Sequence, residues 1–132
     1  MIREIKFRGK DVETGEWVVG YFVGTTDSVA IIIPFEKVNY DVGYIGDSEC
    51  CYCFPETIGQ FTGLYDKNGK EIYEGDILQE IGSGKTVLVV YEAPQFCYAD
   101  NSFGYKFLNL PENYTVIGNI HDNPELLKGG KE

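Results

Sequence analysis

The sequence predicts an all-β protein: a small barrel, or paired barrel-like lobes within one domain, with a short C-terminal helical turn. Three observations carry this reading. Apolar and polar residues alternate with period two through most of the chain, the signature of half-buried strands. Tyr, Val, Ile and Phe outnumber Leu and Ala, with ten Tyr and eight Phe among 132 residues, a bias toward pleated surfaces. Turn-forming Gly, Asn and Asp recur at short intervals, which leaves room for some nine or ten short strands. At this length one domain, 1–132, is expected, divided into lobes at about 1–58 and 59–124, with 125–132 as a frayed tail. No internal repeat or low-complexity segment interrupts it.

In chain order, "REIKFRGK" sets Ile5 and Phe7 on one face and Lys6 and Arg8 on the other. "EWVVGYFVG" sets Trp17, Val19, Tyr21 and Val23 opposite Val18, Gly20 and Phe22. The intervening "DVETGE" carries a Gly turn, so residues 2–8 and 17–24 form a hairpin. "SVAIIIP" is a continuous apolar strand expected to be buried on both faces. Residues 39–57, "NYDVGYIGDSECCYCFPET", lack a clean period and read as a long excursion with at most one short strand. "IGQFTGLY" and "KEIYEGDIL" are strand-like around the "DKNG" turn, where Asn68 and Gly69 tolerate φ > 0. Ile77 and Ile81 of "DILQEI" are expected to share a face. Gly75-Asp76 ahead of an apolar strand is a phrase common in small SH3-like barrels. "KTVLVVYE" is the clearest strand, followed by "QFCYA", "YKFLNL" and "YTVIGNI". In "NPELLK", Asn123 as N-cap and Pro124 at the first helical position predict about one helical turn.

Charge narrows the function classes. The net charge is −10, yet residues 1–10 hold Arg3, Lys6, Arg8 and Lys10 against Glu4, a net of +3. Residues 11–60 hold nine acids against Lys37, a net of −8. An acidic body of this kind repels phosphate backbones, so direct nucleic-acid binding is not expected. No apolar run approaches the roughly 18–20 residues of a membrane span, and "VAIIIPF" is broken by Pro34. The N-terminus lacks the pattern of a secretory signal. A cytoplasmic location follows as the expectation.

The residues that invite chemistry each have a structural reading. "GSGKT" (82–86) imitates a phosphate loop, but the first glycine that motif requires is replaced by Gln79. A β-branched strand also follows where a helix N-terminus is needed, so the segment reads as a hairpin tip. Cys50 and Cys53 form C-x-x-C, with Cys51 between them and Cys97 remote. A structural zinc site needs a second pair, and a redox site needs a βαβ context, so these read as free, partly buried thiols. The metal alternative is a clasp completed by Cys97 or His121, or shared between subunits. His121, the only histidine, stands beside Asp122 without a nucleophile motif and reads as local hydrogen bonding. Asp66, Glu71, Glu74 and Asp76 imitate a calcium loop only in part, because Lys70 and Ile77 occupy ligand places. Asp66 and Asp76 therefore read as turn and strand caps. Tyr44, Tyr52, Phe54, Tyr98, Phe103 and Tyr105 fall in loop-rich segments, where they serve either a protein-binding face or an aromatic core. No catalytic, cofactor-binding or metal-binding residue is assigned.

Three blocks, "REIKFRGKDVETGEWVVGYF", "TIGQFTGLYDKNGKEIYEGDIL" and "VIGNIHDNPELL", make the chain resemble the YopX family of small bacteriophage and prophage proteins. They cover about two fifths of the chain, while 25–56 and 79–114 carry no such likeness. The resemblance implies a β-rich, barrel-containing fold, an origin in a phage or prophage, and self-association. It supplies no activity, and its matched positions (Arg8, Gly9, Trp17, Gly63, Asp66, Gly69, Tyr73, Gly75 and Asp76) read as turn, packing and salt-bridge positions. The expectation is a non-enzymatic, homo-oligomeric accessory protein in the bacterial host cytoplasm, acting through contacts with host or phage proteins. The alternatives are an acidic modulator of a host nucleic-acid-binding protein and a metal-dependent or zinc-stabilised module.

Overall fold

The computed structural model describes residues 4–37, 50–92, 95–100, 104–107 and 111–129, with side chains described outside 92–110. It contains eleven strands and one short helix in these segments. The strands form antiparallel pairs throughout, so the protein is mostly β, as expected. The chain divides into two compact units, Met1–Gln60 and Phe61–Glu132.

In the first unit β1 (Phe7–Lys10), β2 (Trp17–Thr25), β3 (Ala30–Pro34) and β4 (Cys51–Cys53) pair in the order β4-β3-β2-β1. The expected first hairpin is present, though β1 starts at Phe7. Its turn is held by Asp11, whose Oδ1 accepts the N–H of Glu13 at 2.7 Å and of Thr14 at 3.3 Å, with Gly15 at φ 75°. Beyond β1 the chain bonds back to the far edge of the same sheet. Val12 N–H donates to the Tyr52 carbonyl and Phe54 N–H to the Lys10 carbonyl, each at 2.9 Å. Among the described residues this corner is the extent of closure, and the sheet is otherwise open. Thr57 reinforces it by accepting the Lys10 N–H at 2.9 Å while donating to the Phe54 carbonyl at 2.6 Å.

The core of this unit is Ala30, Ile32 and Cys53, flanked by Phe7, Val18, Cys51 and Ile58. Strand β3 differs from expectation. Ala30, Ile32 and Pro34 are buried, whereas Ile31 and Ile33 are only half-buried, so one face is covered and the other is partly open. Gly9 is required by this core, since a Cβ there would lie 2.6 Å from Ile58 Cδ1. Of the expected 39–57 excursion, β4 supplies the one short strand, and residues 38–49 lie outside the described residues.

In the second unit β7 (Asp76–Glu80), β8 (Thr86–Glu92), β9 (Gln95–Asp100), β10 (Gly104–Phe107) and β11 (Tyr114–Asn119) form a sheet in the order β10-β9-β8-β7-β11. Strand β5 (Gly59–Tyr65) starts against β1 and continues into a pairing with β6 (Glu71–Tyr73). Ile72, Leu78, Val87, Val89 and Tyr114 make the core, with Leu64 and Val116 against it. Ile77 and Ile81 do not share a face. Ile77 is fully buried, while Ile81 is 48% exposed, because β7 ends at Glu80, whose backbone closes the next turn with Lys85 and Gly84. The C-terminal helix α1 (Glu125–Gly129) is present. Asn123 does not cap it through its side chain: Asn123 Oδ1 accepts the Asn119 N–H at 3.2 Å instead.

Candidate functional site

The residues with the most unusual surroundings lie at one end of β2. Lys10 pairs with Trp17 and Arg8 with Val19 across the hairpin. These cross-strand neighbours point to the same side of the sheet. The Arg8 guanidinium carbon lies 4.7 Å from the Trp17 ring centroid and Lys10 Nζ lies 5.7 Å away. Two cations therefore lean on one indole, the aromatic that attracts them best.

The same end of β2 is a notch in the sheet. The β2–β3 ladder runs from Thr25↔Ala30 to Gly20↔Pro34 and stops there. Pro34 has no N–H to give, so it suits a last position opposite a glycine at which the ladder asks none of it. The chain then turns into a 3-10 segment, Phe35–Lys37. Trp17, Val18 and Val19 thus extend past the end of β3, paired with β1 on one side only. The Asp11 N–H to Glu16 carbonyl bond fixes the hairpin's parity. By alternation, the backbone groups of Val18 face β1 and the N–H of Val19 faces the notch. A cavity of about 370 Å³ occupies it, lined by Trp17, Val18, Val19, Pro34, Phe35 and Glu36. The Phe35 ring is held edge-on to Tyr21 at 4.6 Å between centroids. Glu36 is the one charged group in that lining. Sequence reasoning passed over Pro34, Phe35 and Glu36. The available signal was a proline ending an apolar strand, immediately followed by an aromatic and an acid.

Apolar side chains continue outward from this notch. Val19, Tyr21, Phe22 and Val23 of β2 are all exposed, Val23 by 57% and Tyr21 by 41%, and Tyr52 and Phe54 are exposed on the same unit. Of the loop aromatics named from the sequence, Tyr52 and Phe54 thus lie at the surface. Tyr44 and the side chains of Tyr98, Phe103 and Tyr105 lie outside the described residues.

The cysteines are arranged for packing. Cys51 and Cys53 sit two apart on β4, opposite Ile32 and Ala30, and belong to the core. Burial first, then the neighbouring Cys51 and Asp11, push the Cys53 thiol up to about 11, so it stays protonated and weakly nucleophilic at neutral pH. Cys50, Cys51 and Cys53 are free thiols, and the side chain of Cys97 lies outside the described residues. Among the described residues no three of His, Cys, Asp and Glu are grouped to hold a metal ion.

The acids of the second unit serve backbone amides. Asp66 is 6% exposed. Its Oδ1 accepts the N–H of Asn68 at 2.8 Å and of Lys70 at 2.9 Å, and its Oδ2 accepts that of Val116 at 2.9 Å. Burial alone would push this carboxyl up, but the amides of Val116, Lys70 and Asn68 and the Lys70 charge outweigh it and hold it below the usual 3.8. Lys67 N–H also donates to the Tyr114 carbonyl at 3.0 Å. The β5–β6 turn therefore covers the outer side of β11, an edge strand that would otherwise be open to pairing. Asp76 is 2% exposed and accepts the Tyr73 N–H at 2.7 Å. His121 N–H and Asp122 N–H both donate to Asn119 Oδ1, at 3.0 and 2.9 Å, a local turn at the end of β11. Residues 82–85 are a hairpin tip, with Gly82 at φ 100° and Gly84 at φ 77°, and Thr86 opens strand β8.

The comparisons agree with this picture. A family model described as YopX protein matches residues 6–128. A solved structure titled "Crystal structure of protein EF1440 from Enterococcus faecalis" is similar at 25% identity and a TM-score of 0.56, covering 96% of this chain and 99% of that one. No curated protein matches the chain.

Proposed function

The chain belongs to the YopX family, and from that premise we propose that it is a non-enzymatic phage or prophage accessory protein that acts through protein–protein contacts, including contacts with copies of itself, in the cytoplasm of a bacterial host. The observation that carries the reading is the run of exposed apolar side chains on β2, Val19, Tyr21, Phe22 and Val23. A folded unit of some sixty residues gains nothing in solubility from four such neighbours, and surfaces of this kind mark contact sites. Tyr and Phe are also the residues that interfaces favour at their centres. The buried carboxylates support the same reading, because Asp66 and Asp76 spend their oxygens on backbone N–H groups. A net charge of −10 keeps a chain with an apolar face dispersed until a fitting partner arrives. The similar protein from Enterococcus faecalis, a bacterium, is consistent with a bacterial setting.

Light scattering on the purified chain tests this directly. A mass above the monomer's 14.9 kDa is expected, at roughly 50 µM where mass action favours association. A Tyr21→Lys/Val23→Lys variant is expected to keep its β-type circular dichroism and fall to the monomer mass. A wild-type protein that stays strictly monomeric would overturn the self-association reading.

A further inference from the structure

We propose that the notch at the end of β3 is a binding site for a basic side chain, Arg or Lys, carried on an extended segment of a partner protein. The proposal rests on the reading of this chain as a contact-making protein and names the partner's chemistry at one place. Two features of the notch select that occupant. The first is its lining: the indole of Trp17 and ring of Phe35, with Val18, Val19 and Pro34, make an apolar sleeve, and Glu36 adds a single carboxylate. A long side chain with an apolar stem and a cationic head is the type that satisfies both, stem against sleeve and head against acid. Aromatic walls add attraction for the same cation. A cavity of about 370 Å³ has room for such a side chain. Arg8 and Lys10 lean on the Trp17 ring but are not among the lining residues, so the charge inside the notch is that of Glu36. The excess of acid over base through residues 11–60 favours a basic visitor at longer range as well.

The second feature is the strand edge. Where β3 leaves the sheet, β2 continues through Trp17–Val19 with β1 on one side only. The Val19 N–H faces the vacated side and is placed to donate to an incoming carbonyl. An extended segment laid there takes the place β3 gave up. It sends alternate side chains to one face, and so delivers one of them into the cavity while its backbone meets Val19.

The experiment is an amide chemical-shift titration of the full chain with three short acetylated peptides of sequence Ser-Thr-Val-X-Val-Thr-Ser. X is Arg, norleucine or Glu. The Arg peptide is expected to shift the amides of Val19, Phe35 and Glu36, and to bind at least about 5-fold more tightly than the Glu peptide, the discrimination that one partly exposed charge pair supports. Glu36→Gln is expected to weaken the Arg peptide by about 2- to 5-fold and to leave the norleucine peptide unchanged. Glu36 is exposed, so the variant keeps its fold, and an unchanged thermal melt serves as the control. The proposal is overturned if no peptide shifts these amides at millimolar concentration, if the shifts fall elsewhere, or if the Arg and Glu peptides bind alike. A monomeric protein that binds the Arg peptide at Val19 and Glu36 refutes self-association and upholds the notch. A self-associating protein indifferent to all three peptides does the reverse.

Discussion

Replacing Asp66 with Asn removes one charge and changes one oxygen into an amide nitrogen, and the structure says where that is felt. The Asn carbonyl oxygen can keep the place of Oδ1 and go on accepting the N–H groups of Asn68 and Lys70 in the exposed β5–β6 turn. Its NH2 group then faces the Val116 N–H, donor against donor, where Oδ2 now accepts at 2.9 Å. The loss is one charge-assisted hydrogen bond plus a half-buried amide left unmatched, together about 2–4 kcal/mol. Asp66→Ala also strips the turn of its acceptor and is expected to cost about 3–5 kcal/mol, the range reserved for broken buried networks. Urea unfolding at neutral pH measures both, with the slope checked for constancy. The sign of the pH dependence follows from the same geometry. The folded carboxyl lies below its ordinary value of 3.8, so its contribution is fully present above that value and is lost as pH falls through the folded value. The stability gap between wild type and Asp66→Asn should therefore hold from neutral pH to about pH 5 and shrink below about pH 4. An Asp66→Asn cost under about 0.5 kcal/mol, or a gap that widens in acid, would refute the assignment of Asp66 as the anchor of β11.

Two further outcomes follow from packing. Gly20→Ala places a methyl group into the Ile33 carbonyl and within 2.8 Å of Pro34 Cα, so it should cost about 1–3 kcal/mol or more by thermal melting. Gly24→Ala on the same strand, with nothing within 4 Å, should stay within about 0.5 kcal/mol of wild type, and equal costs would contradict the register. Cys53, raised to about 11 and fully buried, should alkylate at pH 8 about two orders of magnitude more slowly than a free thiol until denaturant is added. Mass spectrometry of the labelled peptide reads this out, and rapid labelling of Cys53 in the folded protein would sink it.

Much of the architecture was legible in the residues themselves, because strand parity and turn chemistry are local. The "ETGE" and "DKNG" turns, the alternation in "EWVVGYFVG" and the run "KTVLVVYE" each state their structure within a few residues, and each appears as a hairpin end or strand. The structural role of Asp66 was legible in kind, as a turn acid. Its reach to Val116, fifty residues away, was not. Strand ends were harder: nothing near Ile81 declares that β7 stops at Glu80, since that depends on which carbonyl the returning chain meets. Asn123 looked like a cap and bonds back to Asn119 instead, because both partners compete within hydrogen-bond reach and only the fold decides between them.

Composition and period alone determined that this chain is built of short antiparallel strands with an acidic body, for those follow from side-chain type and spacing. Which strand runs past its neighbour was decided by tertiary structure. The notch beside Val19 exists because β3 ends at Pro34 three residues before β2 does. That mismatch belongs to the pairing of two segments and is written in neither of them separately.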